Sequence, residues 1–208
     1  FRKGTANLIG NGVVFDPIIF REEAEAIEAL NVPIRERLVI SKKAHLIVPT
    51  HRVLDAASEK SKGASKIGST LKGIGPTYKD KTGREGLRIG DILAADFRDR
   101  YEALKAKHIS QINNFGFEFN IDEQEKEWFD AIEYLKTFTL VDGEYYINQA
   151  LGKSLRVLAE GAQGSMLDVD FGSYPFVTSS STCCAGACIG LGVAPSKIGT
   201  VSGIFKAY

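Results

Sequence analysis

Residues 154–192 read SLRVLAEGAQGSMLDVDFGSYPFVTSSSTCCAGACIGLG, and the rest of the chain is organised around this stretch. The apolar run at 155–158 predicts a buried strand. It breaks at Glu160-Gly161-Ala162-Gln163-Gly164, where two glycines let the backbone turn tightly and come close to a ligand. A turn signal, Gly172-Ser173-Tyr174-Pro175, leads into Phe176, Val177 and an unbroken hydroxyl run at 178–182, followed by a block of Ala, Gly and Cys. Hydroxyls ahead of a small-residue helix offer side-chain oxygens and free N–H groups to an anion. The plainer reading is a helix cap with a polar approach loop.

Outward from this stretch, strand and helix signals alternate. Residues 6–15 predict two short strands around Gly10-Asn11-Gly12. Asp16-Pro17 starts a helix as N-cap and first helical residue, with Phe20, Ala24, Ile27 and Leu30 as its buried stripe. Residues 37–41 and 44–48 read as strands, and Pro49-Thr50 opens a second helix to about Ser61. A long amphipathic helix over 91–115 carries Phe97, Tyr101, Leu104, His108, Ile112 and Phe115 at 3–4 spacing. Asp122-Glu123-Gln124-Glu125 reads as an Asp-led capping box for a helix burying Trp128, Phe129, Ile132 and Leu135. A short helix over 145–151 precedes the point, Leu155, where the sheet is expected to resume. The pattern is α/β, a sheet whose parallel strands carry ligands at their carboxyl ends, interrupted by a mostly helical insertion. The predicted division is a core of 1–42 with 155–208, and a helical subdomain of 43–154.

Lysine plus arginine and aspartate plus glutamate both number 26, so no global field points to nucleic acid or to an anionic membrane. No apolar run reaches membrane-span length and no leader pattern occurs, so cytosol is the default expectation. Three cysteines, two adjacent, make no disulfide framework. Phe1 and Tyr208 are predicted to bound the excised middle of a longer protein. Locally the balance differs. Residues 60–88 hold Lys60, Lys62, Lys66, Lys72, Lys79, Lys81, Arg84 and Arg88 against Asp80 and Glu85, an excess that asks for a partner. Within it lies Gly68-Ser69-Thr70-Leu71-Lys72-Gly73-Ile74-Gly75-Pro76. Glycine amides, a hydroxyl and nearby cations suit a phosphate; a solvated basic loop is the competing reading.

Three motifs fail on inspection. Gly152-Lys153-Ser154 imitates the end of a P-loop, but Ile147 stands where the first glycine belongs and no helix signal follows. Ser69-x-x-Lys72 with Lys81-Thr82-Gly83 lacks the companion motif of penicillin-binding enzymes. Cys183, Cys184 and Cys188 have no histidine near them and fit helix packing better than a structural zinc. His45, His51 and His108 read as satisfied core or boundary histidines.

Gly73-Ile74-Gly75-Pro76-x-Tyr78-x-x-Lys81-x-x-Arg84, with Gly86-Leu87-Arg88-x-Gly90-Asp91 after it, resembles the active-site signature of the adenylosuccinate synthetase family. Glu160 to Gly164, Leu167-Asp168-x-Asp170, Tyr174 to Ser180 and Gly203-Ile204-x-Lys206-Ala207-Tyr208 resemble that family in the same order, as do Ile9 to Val14 and Arg35 to Leu38. The resemblance implies part of a mostly parallel, P-loop-NTPase-like sheet with a helical insertion. It implies a GTP- and Mg²⁺-dependent ligase that joins IMP to L-aspartate, giving adenylosuccinate for AMP synthesis. The purine 6-oxygen is phosphorylated first and aspartate then displaces that phosphate. By the same resemblance Thr70 and Thr178 hold the IMP phosphate, and Arg84 reaches it in the partner of a homodimer. Gln163 sits near the purine 6-oxygen, Leu167 by the ribose, and Lys81 acts electrostatically.

The chain departs from the family in lacking its N-terminal phosphate loop with the catalytic Asp, the segment carrying the catalytic His, and the C-terminal arginine-rich and guanine-reading segments. The main GTP and Mg²⁺ ligands are therefore expected outside this chain, with no cofactor or metal ligand within it. Glu85 follows Arg84 where the family often has a second basic residue, and Cys183-Cys184 replaces a Thr/Ala pair. The chain alone is expected to be inactive. The alternatives are a non-catalytic nucleotide-binding and dimerisation module, or a different enzyme using Lys81 and Gln163.

Overall fold

The computed structural model describes residues 2–65, 68–205 and 207; Lys66 of the basic stretch and Lys206 and Tyr208 of the last motif lie outside them. In chain order the elements are β1 (Asn7–Ile9), β2 (Val14–Phe15), α1 (Pro17–Ala29), α2 (Ile34–Arg37), β3 (Leu38–Ser41), β4 (His45–Leu46), α3 (Pro49–Ser61), α4 (Ile74–Gly83), α5 (Phe97–Asn114), α6 (Asp122–Leu135), β5 (Thr139–Val141), α7 (Gly143–Gly152) and α8 (Ala185–Leu191). β1, β3 and β5 form a parallel sheet in the order β1-β3-β5, and β2 pairs parallel with β4 in a second, two-stranded sheet. Parallel neighbours need long crossovers, which the helices between them supply.

The α1 start follows its residues. The Asp16 carboxylate accepts the N–H groups of Ile18 and Ile19, and Pro17 fills the first helical position. Its inward stripe is Phe20 and Ala24, with Ile27 partly buried against the same core, while Leu30 falls past the helix end and is exposed. α5 buries Phe97, Tyr101, Leu104, His108 and Ile112, but begins at Phe97 because a 3-10 turn occupies Ile89–Leu93. The capping box at Asp122 does not form: Ile121 is the N-cap and Asp122 is already helical.

Trp128 of α6 is the largest buried side chain and is 1% exposed. It stacks on Tyr101 and Phe97 at centroid distances of 5.0 and 6.1 Å and donates its indole N–H to the Ile47 carbonyl at 2.8 Å. Truncation leaves a cavity and strands that carbonyl. Trp128→Ala is expected to cost about 3–5 kcal/mol in urea unfolding, with most of it retained in Trp128→Phe; a loss below about 1 kcal/mol would contradict this packing.

The strand expected at 155–158 is absent. Leu155, Val157 and Leu158 are exposed, at 58%, 38% and 92%, and the Leu155 N–H turns back onto the Ala150 carbonyl. A short apolar run forms a strand only where a neighbour satisfies its backbone, and none of the described strands pairs with it. The third strand is β5 instead, within the region read as helical. Its three residues are too few to signal a period, and pairing with Val39, Ile40 and Ser41 fixes it.

Candidate functional site

The loop before α4 is shaped from behind by α3. Glu59 Oε1 accepts the Gly68 and Ser69 N–H groups at 2.7 and 3.4 Å. Asp55 accepts the Ser69 hydroxyl at 2.6 Å and the Gly73 N–H at 3.0 Å. The Gly68 amide, with Lys62 assisting, holds the Glu59 carboxyl below its ordinary range. The expected amide cradle is thus turned inward onto the protein's own carboxylates, and the loop offers a ligand the exposed Thr70 and Lys72 instead. Gly73 is required at the bend: its φ is +76°, and a Cβ there would lie 2.9 Å from the His51 Cβ and 3.0 Å from the Arg52 nitrogen.

Beneath α4 lies a buried polar network. His51 and His108 each place Nε2 2.8 Å from Asp80 Oδ2, and Lys107 donates to Asp80 Oδ1 at 3.1 Å and pairs also with Glu85. The Val48 N–H donates to His51 Nδ1 at 3.0 Å, so the neutral ring carries its proton on Nε2 and donates it to Asp80. Thr50 Oγ1 lies 2.6 Å from His108 Nδ1. The three chelating groups gather within 4.8 Å, but their nitrogen protons are already committed to hydrogen bonds, so this is a network rather than a ligand set. Burial alone would raise the Asp80 carboxyl; the hydrogen bonds from His108 and His51 outweigh it and hold the group far below its ordinary range. His51 and His108 are the satisfied core histidines that the sequence predicts.

Lys81 and Tyr78 project from α4 onto the Gly10-Asn11-Gly12 turn. The Tyr78 hydroxyl donates to the Gly12 carbonyl at 2.9 Å, and Lys81 Nζ donates to the Asn11 carbonyl at 3.4 Å and lies over the Tyr78 ring. Burial, then the nearby Arg88, lowers the Lys81 pKa. α8 docks on the other side of the same turn. The Gly12 N–H donates to the Gly190 carbonyl at 3.3 Å, and a Cβ on Gly10 would sit 2.6 Å from that oxygen.

His45 is 4% exposed, and burial, then Lys81 and Arg88, push its pKa down from 6.5 to about 4. The unfolded chain therefore takes up a proton that the fold refuses. This stability is complete above pH 6.5 and is lost as the pH falls towards 4, an effect on the order of 2–3 kcal/mol. His45→Gln is expected to flatten the acid limb of stability against pH over that interval, leaving the part due to His51, whose pKa burial also lowers. An unchanged acid limb would contradict the assignment.

The long stretch at 154–192 folds into a loop cluster. Gln163 adopts a left-handed backbone at φ 62°, a 3-10 turn covers Ser165–Leu167, and the Thr178 N–H donates to the Leu167 carbonyl at 2.8 Å. Gln163, Leu167 and Thr178 thereby share one cluster. It lies against the first turn of α4, where a Cβ on Gly75 would be 3.6 Å from Ser179 Oγ and the Ser180 side chain lies by the Tyr78 hydroxyl. Two loops about a hundred residues apart meet there. Arg84 caps the opposite end of α4 in a left-handed conformation and is exposed. Nine residues of helix put its backbone about 13 Å from that of Gly75. Two amides just ahead of α8 are taken by Asp168, which accepts Thr182 N–H at 2.7 Å and Cys183 N–H at 3.1 Å. Asp55, Glu59 and Asp168 were not singled out for roles by the sequence reading, although the i,i+4 spacing of Asp55 and Glu59 puts both on one face of α3.

Parallel strands joined by helices make this an α/β fold, and its hydroxyl-bearing loops gather at the start of α4. Residues 1–208 match the adenylosuccinate synthetase family throughout, and the chain belongs to it. It is 60% identical to the adenylosuccinate synthetase of Flavobacterium johnsoniae over 210 residues, covering 100% of this chain and 50% of that protein. The Bacteroides fragilis protein of the same name is 60% identical over 208 residues, covering 100% of this chain and 49% of its own length. The solved structure of a fully ligated adenylosuccinate synthetase from Plasmodium falciparum superposes with a TM-score of 0.80 at 33% identity, over 92% of this chain and 45% of that one. The chain spans about half the length of these relatives.

Proposed function

We propose that this chain is the IMP-gripping half of a GTP-dependent ligase that joins IMP and L-aspartate to form adenylosuccinate for AMP synthesis. The full-length protein, meaning this chain joined to the further length its relatives carry, performs the reaction; the chain alone does not. Thr70 and Thr178 donate their hydroxyls to the IMP phosphate. Gln163 hydrogen-bonds the purine near the 6-oxygen, where charge changes during the reaction, and Leu167 packs by the ribose. Lys81, held partly out of water, adds positive charge beside the reacting end. Arg84, at the far end of α4, reaches the IMP phosphate of the partner in a cytoplasmic homodimer. Among the described residues no helix is long and apolar enough to cross a membrane.

GTP and Mg²⁺ are assigned outside this chain. The amides of Gly68, Ser69, Gly73, Thr182 and Cys183 are bonded to carboxylates and so are not offered to a triphosphate. The observation that carries the reading is the meeting of the Thr178 cluster with the α4 turn that follows Thr70. The test is adenylosuccinate formation from IMP, GTP, Mg²⁺ and aspartate. Product is expected from the full-length protein and none from the chain alone. Turnover by the isolated chain, or none by the full-length protein, would overturn the reading.

A further inference from the structure

Between residues 154 and 192 one residue among those described is buried, and it is a carboxylate: Asp168, at 0% exposure. Met166, Phe171, Tyr174 and Phe176 around it are all exposed. An apolar core does not hold this cluster together; backbone bonds and a charged hub do. Asp168 Oδ1 accepts the Asp170 and Phe171 N–H groups at 2.9 and 3.1 Å, and Oδ2 accepts those of Thr182 and Cys183. The hub thus ties the turn carrying Gln163 and Leu167 to the end of the hydroxyl run that begins at Thr178. The Thr182 hydroxyl reinforces the tie by donating to the Gly164 carbonyl at 2.9 Å.

We propose that Asp168 is the positioning residue of the IMP site, fixing the Thr178 hydroxyl relative to Gln163 and Leu167 while touching no ligand itself. This rests on the IMP reading above. Both carboxylate oxygens are occupied by pairs of amides, which leaves no lone pair directed at a substrate and rules out a role as base. The amides, that of Asp170 foremost, hold its carboxyl well below the ordinary range, so it stays charged. Asparagine cannot replace it: its NH₂ would face two backbone N–H donors on whichever side it lay. Losing the tie leaves the segment held by the Thr178–Leu167 and Val169–Ser180 backbone bonds alone, and a displacement of about 1 Å at a reacting site costs about 100-fold.

The experiment is Asp168→Asn in the full-length protein, with KM measured separately for IMP, GTP and aspartate and hydrogen exchange followed along the backbone. KM for IMP is expected to rise about 10–100-fold, with the other two within about twofold of wild type. Exchange is expected to accelerate at 178–183 and not in β1, β3 or β5. Should that variant fail to fold, Thr182→Ala cuts the weaker tie and is expected to raise KM for IMP about 3–10-fold by the same route. Wild-type turnover with an unchanged KM for IMP in the variant overturns this inference alone, as does an equal rise for all three substrates. Absence of IMP-dependent turnover in the wild type overturns the functional reading, and this inference with it.

Discussion

Asp80→Asn is expected to destabilise the fold by about 3–5 kcal/mol, the cost of breaking a buried charge network from one side. Oδ2 receives two imidazole N–H groups and Oδ1 receives Lys107. An asparagine amide must turn its NH₂ either to the two histidines or to the ammonium, so donors meet in either orientation. Glu85 still pairs with Lys107, which moderates the loss. The damage also reaches the site. Asp80 immediately precedes Lys81, and its backbone carbonyl accepts the N–H groups of Glu85 and Gly86 that set the Arg84 bend. Urea unfolding measures the effect, and a change under about 1 kcal/mol would mean the network is ornamental. The acid behaviour has a definite sign. A depressed carboxyl stabilises the fold above its unfolded pKa, about 3.9, and that part disappears as the pH falls below it. The variant should lose this most acidic portion of the wild-type pH dependence and keep the His45 portion, which lies higher.

Much of the architecture was legible because local chemistry decides it. Asp16-Pro17 specifies a helix start whatever surrounds it, and the α5 stripe from Phe97 to Ile112 repeats at a spacing only a helix satisfies. The apolar run at 155–158 was illegible for the opposite reason: hydrophobicity says that a segment wants cover without saying what supplies it. β5 was hidden because its strand character comes from pairing with β3 across a separation of a hundred residues. The site shows the same division. Hydroxyl-and-glycine loops are visible as composition, and both lie beside the start of α4. Which atoms satisfy their amides is a tertiary fact. Asp55 and Glu59 read as one polar face of α3, and Asp168 as one acid among several in its motif. Each proves to occupy donors that a phosphate was expected to take, which leaves the loops' hydroxyls and side-chain cations as the groups on offer.

That shift sets the second large effect, at Thr70 and Thr178. A hydrogen bond to a charged group contributes about 1.5–3 kcal/mol. Each Thr→Val change in the full-length protein is therefore expected to weaken IMP binding about 10–100-fold, and the pair together about 10²–10⁴-fold. Valine keeps the shape, and at position 178 it keeps the backbone N–H that bonds the Leu167 carbonyl, so the loop itself persists. Calorimetric binding of IMP beside inosine, which lacks only the phosphate, isolates the contact. If the two loops grip one phosphate, the double variant loses IMP affinity by that factor and binds inosine as wild type does. Equal weakening of inosine, or IMP affinity left intact, would contradict it.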